Sequence, residues 1–290
     1  MSREIRARRG VPVDVRPLSP ALGAEVTGVD LARPLADDDF ARVRQAHLDH
    51  CVLVFPDQHL TPEQHIAFSR RFGALHIHML EQYLMDGHPE LLVLSNVKRD
   101  GRAIGIEDAG RYWHSDVTYE EVPPLGSLLY GVEVPPEGGD TYFANMYAAY
   151  DALDAAMKGR LAGLHAVHRY NIDRQRRQRG TIKITEEQAS RIRDVTHPVV
   201  RTHPETGRKA LYVNPGFTIG IEGMADAEGA ALLAALFDHM DGPAFHYRHA
   251  WRQRDLVFWD NRCVMHRATD YDPVHTRHML RTTVEGDRPF

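Results

Sequence analysis

His-x-Asp occurs twice in the chain, as His47-Leu48-Asp49 and as His114-Ser115-Asp116, and the two copies have different chemical prospects. On a helix of 3.6 residues per turn, positions two apart point away from each other, so a pair inside the helix expected over 36–50 reads as ordinary surface. In an extended segment residues i and i+2 face the same side, and His114 and Asp116 can then reach one ion. A third ligand has to come from elsewhere. The apolar run Leu256-Val257-Phe258-Trp259 leads on to an isolated His266, which would complete a set of two histidines and one carboxylate. Such a triad occupies one face of an octahedral ion and leaves the remaining positions open, the arrangement that non-haem Fe(II) oxygenases use. Against it stands a total of 18 histidines, among which chance pairs are common and a lone buried histidine is ordinarily structural.

Two arginines follow His266, four apart in Arg277-His278-Met279-Leu280-Arg281. On a strand both face one way. A guanidinium offers a planar fork that grips a carboxylate with two bonds, so two forks facing a metal cavity suggest two anionic guests. The bland alternative pairs each arginine with an Asp or Glu at the surface. Cys51 and Cys263 are the only cysteines; with no paired spacing they read as small buried hydrophobes rather than as disulfide, zinc or thiol chemistry.

The elements that must position these residues are mostly short strands. Val11–Val15 and Ala24–Val29 open the chain, with Pro12 confining the first to a sheet edge. A helix over 36–50, the buried strand Val52–Phe55, and a helix capped by Thr61, entered by Pro62 and stopped by Gly73 follow. From 127 onward the pattern predicts strands over 127–134, 141–144, 164–170, 195–201, 209–213, 245–251, 256–259 and 279–284, with a hairpin loop at 203–207. Two further helices are expected, near 147–161 and 225–240. Few helices and many short strands predict a mainly β fold with flanking helices, a double-stranded β-helix or jelly roll, as one domain over 1–290. The polar, glycine-bearing stretch 76–112 is expected to hold a lid over the cavity between the sheets.

Composition narrows the classes. The chain is 43% hydrophobic and 26% charged, with a net charge of −5, which suits a packed core and gives no general attraction to nucleic acid or anionic membrane. The Arg-rich start, Arg3 to Arg9, reads as a solvated terminus rather than a binding arm. No apolar stretch approaches the roughly 20 residues that span a bilayer, and no secretory h-region follows the N-terminal charges, so a cytoplasmic protein is expected.

Several segments together resemble the TauD/TfdA family, the taurine and aryloxyalkanoate dioxygenases, over nearly the whole length. They are Trp113-His114-Ser115-Asp116-Val117-Thr118, Gly138-Gly139-Asp140-Thr141, His197-Pro198-Val199-Val200-Arg201-Thr202-His203-Pro204, and Trp259-Asp260-Asn261-Arg262 with His266, Arg277 and Arg281. Gly23–Leu31, Phe72–His78 and the closing Gly286-Asp287-Arg288-Pro289-Phe290 also fit. The resemblance implies an enzyme using Fe(II), 2-oxoglutarate and O2 that hydroxylates a small anionic substrate and releases succinate and CO2. It implies iron on His114, Asp116 and His266, the far carboxylate of 2-oxoglutarate on Thr141 and Arg277, and the substrate's anionic head on Arg281 and His78. Phe217 corresponds to an aromatic wall of that pocket, and a homo-oligomer is implied too.

Where the taurine enzymes hold the amine end with a tyrosine and an asparagine, this chain carries Glu81 and Gly110. Glu81 could meet an amine or simply face solvent. The basic run from Arg169 to Arg177 brings Arg174 toward a position that is often aromatic in relatives; it would suit a larger anion if it lined the pocket, and is otherwise a solvated loop. The first expectation is a taurine- or alkylsulfonate-like substrate, with a sulfate ester or aryloxyalkanoate as alternatives. Outside that chemistry stand a jelly-roll metalloenzyme using zinc or manganese for hydrolysis or isomerisation, and a non-catalytic binding relative, against which an intact triad argues.

Overall fold

The computed structural model describes residues 12–107, 109–170 and 184–290. The Arg3–Arg9 stretch and Arg174 lie outside them. Val52–Phe55 and Leu256–Trp259 are continuous apolar runs, and every residue in both is buried, which requires cover on both faces. They pair antiparallel inside an eight-stranded sheet in the order Asp14–Pro17, Ala24–Thr27, Val52–Phe55, Leu256–Asp260, Gly126–Glu133, His278–Val284, His88–Ser95, Leu84–Met85.

Strand alternation sends side chains to two cores. Leu53, Phe55, Leu128, Leu256 and Phe258 meet the helices Asp37–His50 and Pro62–Ser69 through Val43, Ala46 and Phe68. Val52, Val54, Leu129, Val257 and Trp259 face the other way, into the main core. There they meet a three-stranded sheet ordered His246–His249, Thr141–Asn145, Val264–Ala268; Phe143 and Trp259 touch across the layers with ring centroids 5.7 Å apart. A second three-stranded sheet (Val195–Pro198, His165–His168, Thr218–Ile221) and the hairpin Val200–Thr202/Lys209–Leu211 extend this layer. The molecule is mainly β with few helices. No helix among the described residues is long and apolar enough to cross a membrane.

Most expected elements form, with instructive differences. The first strand is Asp14–Pro17, beyond Pro12. The run 195–201 is two strands in different sheets, and the fully buried Val199 between them donates its N–H to Leu164 O. The helix expected over 147–161 is two, Met146–Asp151 and Ala155–Leu161, because Asp154 caps a new start by accepting from Met157 N–H. Glu186–Arg191 is a helix that periodicity did not predict, started by a capping box between Thr185 and Gln188. His47 is not surface. It is 2% exposed and stacks on Phe258 at 3.8 Å: the periodicity that turns Asp49 outward puts His47 beside Val43 and Ala46 on the inner face. Cys51 and Cys263 are free and buried, as expected.

His65 gives the fold a pH dependence. It is buried between Pro62–Ser69 and His278–Val284, with Nε2 3.2 Å from Thr282 Oγ1, and burial pushes it from 6.5 down to about 4. Between those values the unfolded chain binds the proton and the folded chain does not, so this group removes stability as pH falls through the window. The loss is on the order of 3 kcal/mol. His65→Gln should therefore flatten the fall in urea midpoint between pH 6.5 and 4; an unchanged slope would assign that fall to other groups.

Candidate active site

His266 lies in the middle of Val264–Ala268, opposite Phe143. Its outer edge pairs with the extended residue His114: His114 N–H donates to His266 O at 3.1 Å and His266 N–H to His114 O at 2.8 Å. This reciprocal bridge sets the two imidazoles side by side, with ring centroids 4.2 Å apart. Two residues on, the chain turns, with Val117 at φ 55°, and Asp116 points back at both rings. Its Oδ1 is 3.8 Å from His114 Nε2 and 3.9 Å from His266 Nε2. All three side chains are buried, and one ligand atom from each lies within 4.8 Å of the others.

The protonation states suit a divalent cation. Burial lowers both histidines, outweighing the nearby carboxylate, so the rings are neutral and keep a lone pair. His114 Nδ1 is 2.8 Å from Tyr112 O; a carbonyl only accepts, so Nδ1 carries the proton and Nε2 faces the ion position. Burial alone would raise Asp116, but the Arg281 guanidinium, with the Ser127 hydroxyl, outweighs it and holds the carboxyl well below the usual range. Two neutral imidazoles and one carboxylate on one side of a cavity are the donor set for Fe(II) with open positions.

A fully buried network orients that carboxylate. Ser127 Oγ donates to Asp116 Oδ2 at 2.7 Å, and Asn261 Nδ2 donates to Ser127 Oγ at 3.2 Å. Asn261 Oδ1 accepts from Asp116 N–H at 3.3 Å and from Trp259 Nε1 at 2.9 Å. One carboxylate oxygen is thereby tied and the other offered to the ion. Asn261→Ala is expected to weaken Fe(II) binding about 10- to 100-fold in a metal titration; wild-type affinity in a folded variant would show that the network is idle. Motif reading quoted Asn261 without a role and missed Ser127.

Arg281 is buried with Asp116: Nη1 donates to Asp116 Oδ1 at 2.7 Å, while Nε has no partner among the described residues. It therefore pairs neither with a surface acid nor with nothing, but with the candidate ligand itself. It also stands between two compartments that share Leu94, Ala109, Gly110 and His114 as walls. One compartment holds Thr141, Trp259, His266 and Arg277. Arg277 is buried, forms no ion pair among the described residues, and is pushed by that burial down to about 10, so it is charged and in want of an anion. Thr141 Oγ1 accepts from Trp251 Nε1 at 3.0 Å, which leaves its own hydrogen to donate.

The other compartment holds His78, Leu80, Ile106, Tyr119, Tyr170 and Phe217. His78 Nδ1 accepts from Leu80 N–H at 3.1 Å, so its Nε2 bears the proton; burial, aided by the Arg281 charge, keeps it neutral. Phe217 meets the His114 ring edge-on at 5.9 Å. Two glycines give His114 its room. A Cβ on Gly110, which sits at φ +72°, would lie 2.8 Å from His114 Cε1, and one on Gly216 would lie 2.6 Å from Tyr112 Cε2. Glu81 is exposed and off both walls. Arg169, the one described arginine of the basic run, pairs with Asp194 at the surface.

The family model described as "Taurine catabolism dioxygenase TauD, TfdA family" matches residues 14–283. The alpha-ketoglutarate-dependent 2,4-dichlorophenoxyacetate dioxygenase of Cupriavidus pinatubonensis is 38% identical, over 95% of this chain and 98% of its own. The (S)-phenoxypropionate/alpha-ketoglutarate-dioxygenase of Sphingobium herbicidovorans is also 38% identical, over 94% and 95%. A crystal structure of a taurine dioxygenase from Burkholderia xenovorans superposes with a TM-score of 0.81 at 37% identity, covering 96% of this chain and 91% of that one.

Proposed function

Since the chain belongs to the TauD/TfdA family and is an Fe(II)- and 2-oxoglutarate-dependent dioxygenase, we propose that it hydroxylates a small organic anion with a flat apolar tail, an aryloxyalkanoate rather than an aminoalkylsulfonate. One observation carries this reading. Beyond Arg281 the substrate compartment is walled by Leu80, Ile106, Tyr112, Tyr170 and Phe217, and among the described residues the only carboxylate on it is Asp116, already paired with Arg281. An ammonium group would enter without a counter-charge, which is costly in a buried site. The named substrates of the two phenoxy-acid relatives have the anion and the ring that such a wall accepts. A sulfate ester with an apolar alcohol part fits the same wall and is the second reading.

In this assignment His114, Asp116 and His266 hold iron. Arg277 and Thr141 receive the far carboxylate of 2-oxoglutarate, and Arg281 with His78 receives the substrate's anion. Bound iron and 2-oxoglutarate supply the activation of O2, with succinate and CO2 as coproducts. The protein's part is orientation and exclusion of water: Arg277 fixes one end of the cosubstrate, Phe217 confines the tail, and the buried walls keep the reacting C–H bond beside the metal. Hydroxylation next to an ether oxygen gives a hemiketal or hemiacetal that fragments to a phenol.

The scaffold we assign is a double-stranded β-helix, one domain over 1–290, acting as a cytoplasmic homo-oligomer. His88–Ser95 is part of the large sheet, so the lid within 76–112 is assigned to the segments flanking that strand. The test of the substrate class is succinate release on a panel of phenoxyacetates, alkyl and aryl sulfates, and taurine. Phenoxyacetates should drive release and yield phenols; release with taurine alone would sink the apolar-tail reading.

A further inference from the structure

Tyr170 follows the strand His165–His168 by two residues. It is 4% exposed and lines the substrate compartment, yet among the described residues its hydroxyl has no hydrogen-bond partner. Buried hydroxyls are ordinarily paired, and one left open by the described residues around it is free to meet a polar atom of a bound molecule. We propose that Tyr170 is a specificity-determining residue: its O–H donates to an uncharged acceptor, an ether, nitro or carbonyl oxygen, at the end of the substrate farthest from the anion. This rests on the aryl-acid reading above and adds a feature of the tail that the reading does not contain.

Ring geometry sets where that acceptor must be. From His114 to Phe217 is 5.9 Å between centroids, and from Phe217 to Tyr170 a further 6.2 Å with the two rings 21° from parallel. Tyr119 closes the side, edge-on to both at 4.9 Å. In this proposal a ligand whose anion sits at Arg281 runs along the Phe217 ring toward Tyr170, which lines the same compartment. On a phenoxyacetate the acceptor is then the para substituent.

The polarity follows from the hydroxyl itself. A substrate donor would use a lone pair and leave the O–H hydrogen buried and unpaired, whereas an acceptor takes that hydrogen. Burial raises the Tyr170 phenol far above its ordinary value, so it is a donor at any working pH. A water held there in the free enzyme would change nothing in the choice. A tail that displaces such a water without replacing its bond loses affinity.

The experiment compares 4-methoxyphenoxyacetate with 4-ethylphenoxyacetate, which are close in size and differ by one acceptor oxygen in place of a CH2 group. kcat/KM is measured by succinate release for the wild type and for Tyr170→Phe, each first shown to form the anaerobic Fe(II)–2-oxoglutarate absorption band. The wild type should prefer the methoxy compound by at least about tenfold, and Tyr170→Phe should bring the two within about twofold by losing the methoxy substrate alone. A merely structural tyrosine would lower both by the same factor. Equal ratios in the two enzymes, or a common fall, overturn the assignment while leaving the aryl-acid reading intact. If the band forms but neither compound is turned over, that reading itself has failed and Tyr170 goes with it.

Discussion

Anaerobic addition of Fe(II) and 2-oxoglutarate to the wild-type protein is expected to give a weak visible charge-transfer band, and His114→Ala to abolish it together with more than about a thousandfold of turnover. His114 is the most informative of the three proposed ligands to remove. The bridge that holds it to His266 runs through backbone N–H and C=O groups, so alanine keeps both bonds and deletes only the imidazole. Asp116→Ala is a poorer probe. It would strand the Arg281 charge, whose Nη1 donates to Asp116 at 2.7 Å, and a buried charge that loses its partner destabilises by about 3–5 kcal/mol. A folded His114→Ala protein that still forms the full band would remove His114 from the metal site and with it the triad.

The site was legible in the sequence to the extent that local geometry decides it. His114 and Asp116 needed only the i, i+2 rule, and His266 announced itself by standing just past an apolar strand. The path between Trp259 and His266 was not legible: the chain leaves the large sheet after Asp260 and re-enters the small one at Val264, and no run of residue types encodes a change of sheet. Ser127 and Asn261 stayed hidden for a related reason. They meet because Ser127 lies opposite Trp259 in the register of Gly126–Glu133 against Leu256–Asp260, a tertiary fact with no local signal. His88–Ser95 is different. Leu91-Leu92-Val93-Leu94 is a strand signal in plain view, passed over because the polar residues and glycines around it pointed to a lid within 76–112. His47 was misplaced because a helix face was judged by its partner at i+2 instead of by Val43 and Ala46. Arg281 carried the subtlest limit: the sequence says that two guanidiniums face a cavity, but only packing says that one of them already leans on Asp116.

That asymmetry between the arginines yields the second large effect. Arg277 is charged and buried, and has no acid paired with it among the described residues, so a carboxylate guest gains a charge-assisted bond that water no longer competes for. Truncating one partner of such a buried pair costs about 2–5 kcal/mol, which is roughly 30-fold to several thousandfold in affinity. Arg277→Met should raise the half-saturating concentration of 2-oxoglutarate by that factor. Fe(II) binding should stay near wild type, since the hydrogen bonds of Arg277 run to Asn96 Oδ1 and Gly139 O and not to His114, Asp116 or His266. Arg281→Met should behave differently on both counts. It should raise the Michaelis constant for the organic anion much more than that for 2-oxoglutarate, and it should also weaken Fe(II) binding, because Asp116 loses the guanidinium that braces its metal-facing oxygen. Measured side by side, the two variants separate the compartments: if both raise the two Michaelis constants equally and spare the metal, Arg277 and Arg281 serve one shared anion and the two-compartment assignment is wrong.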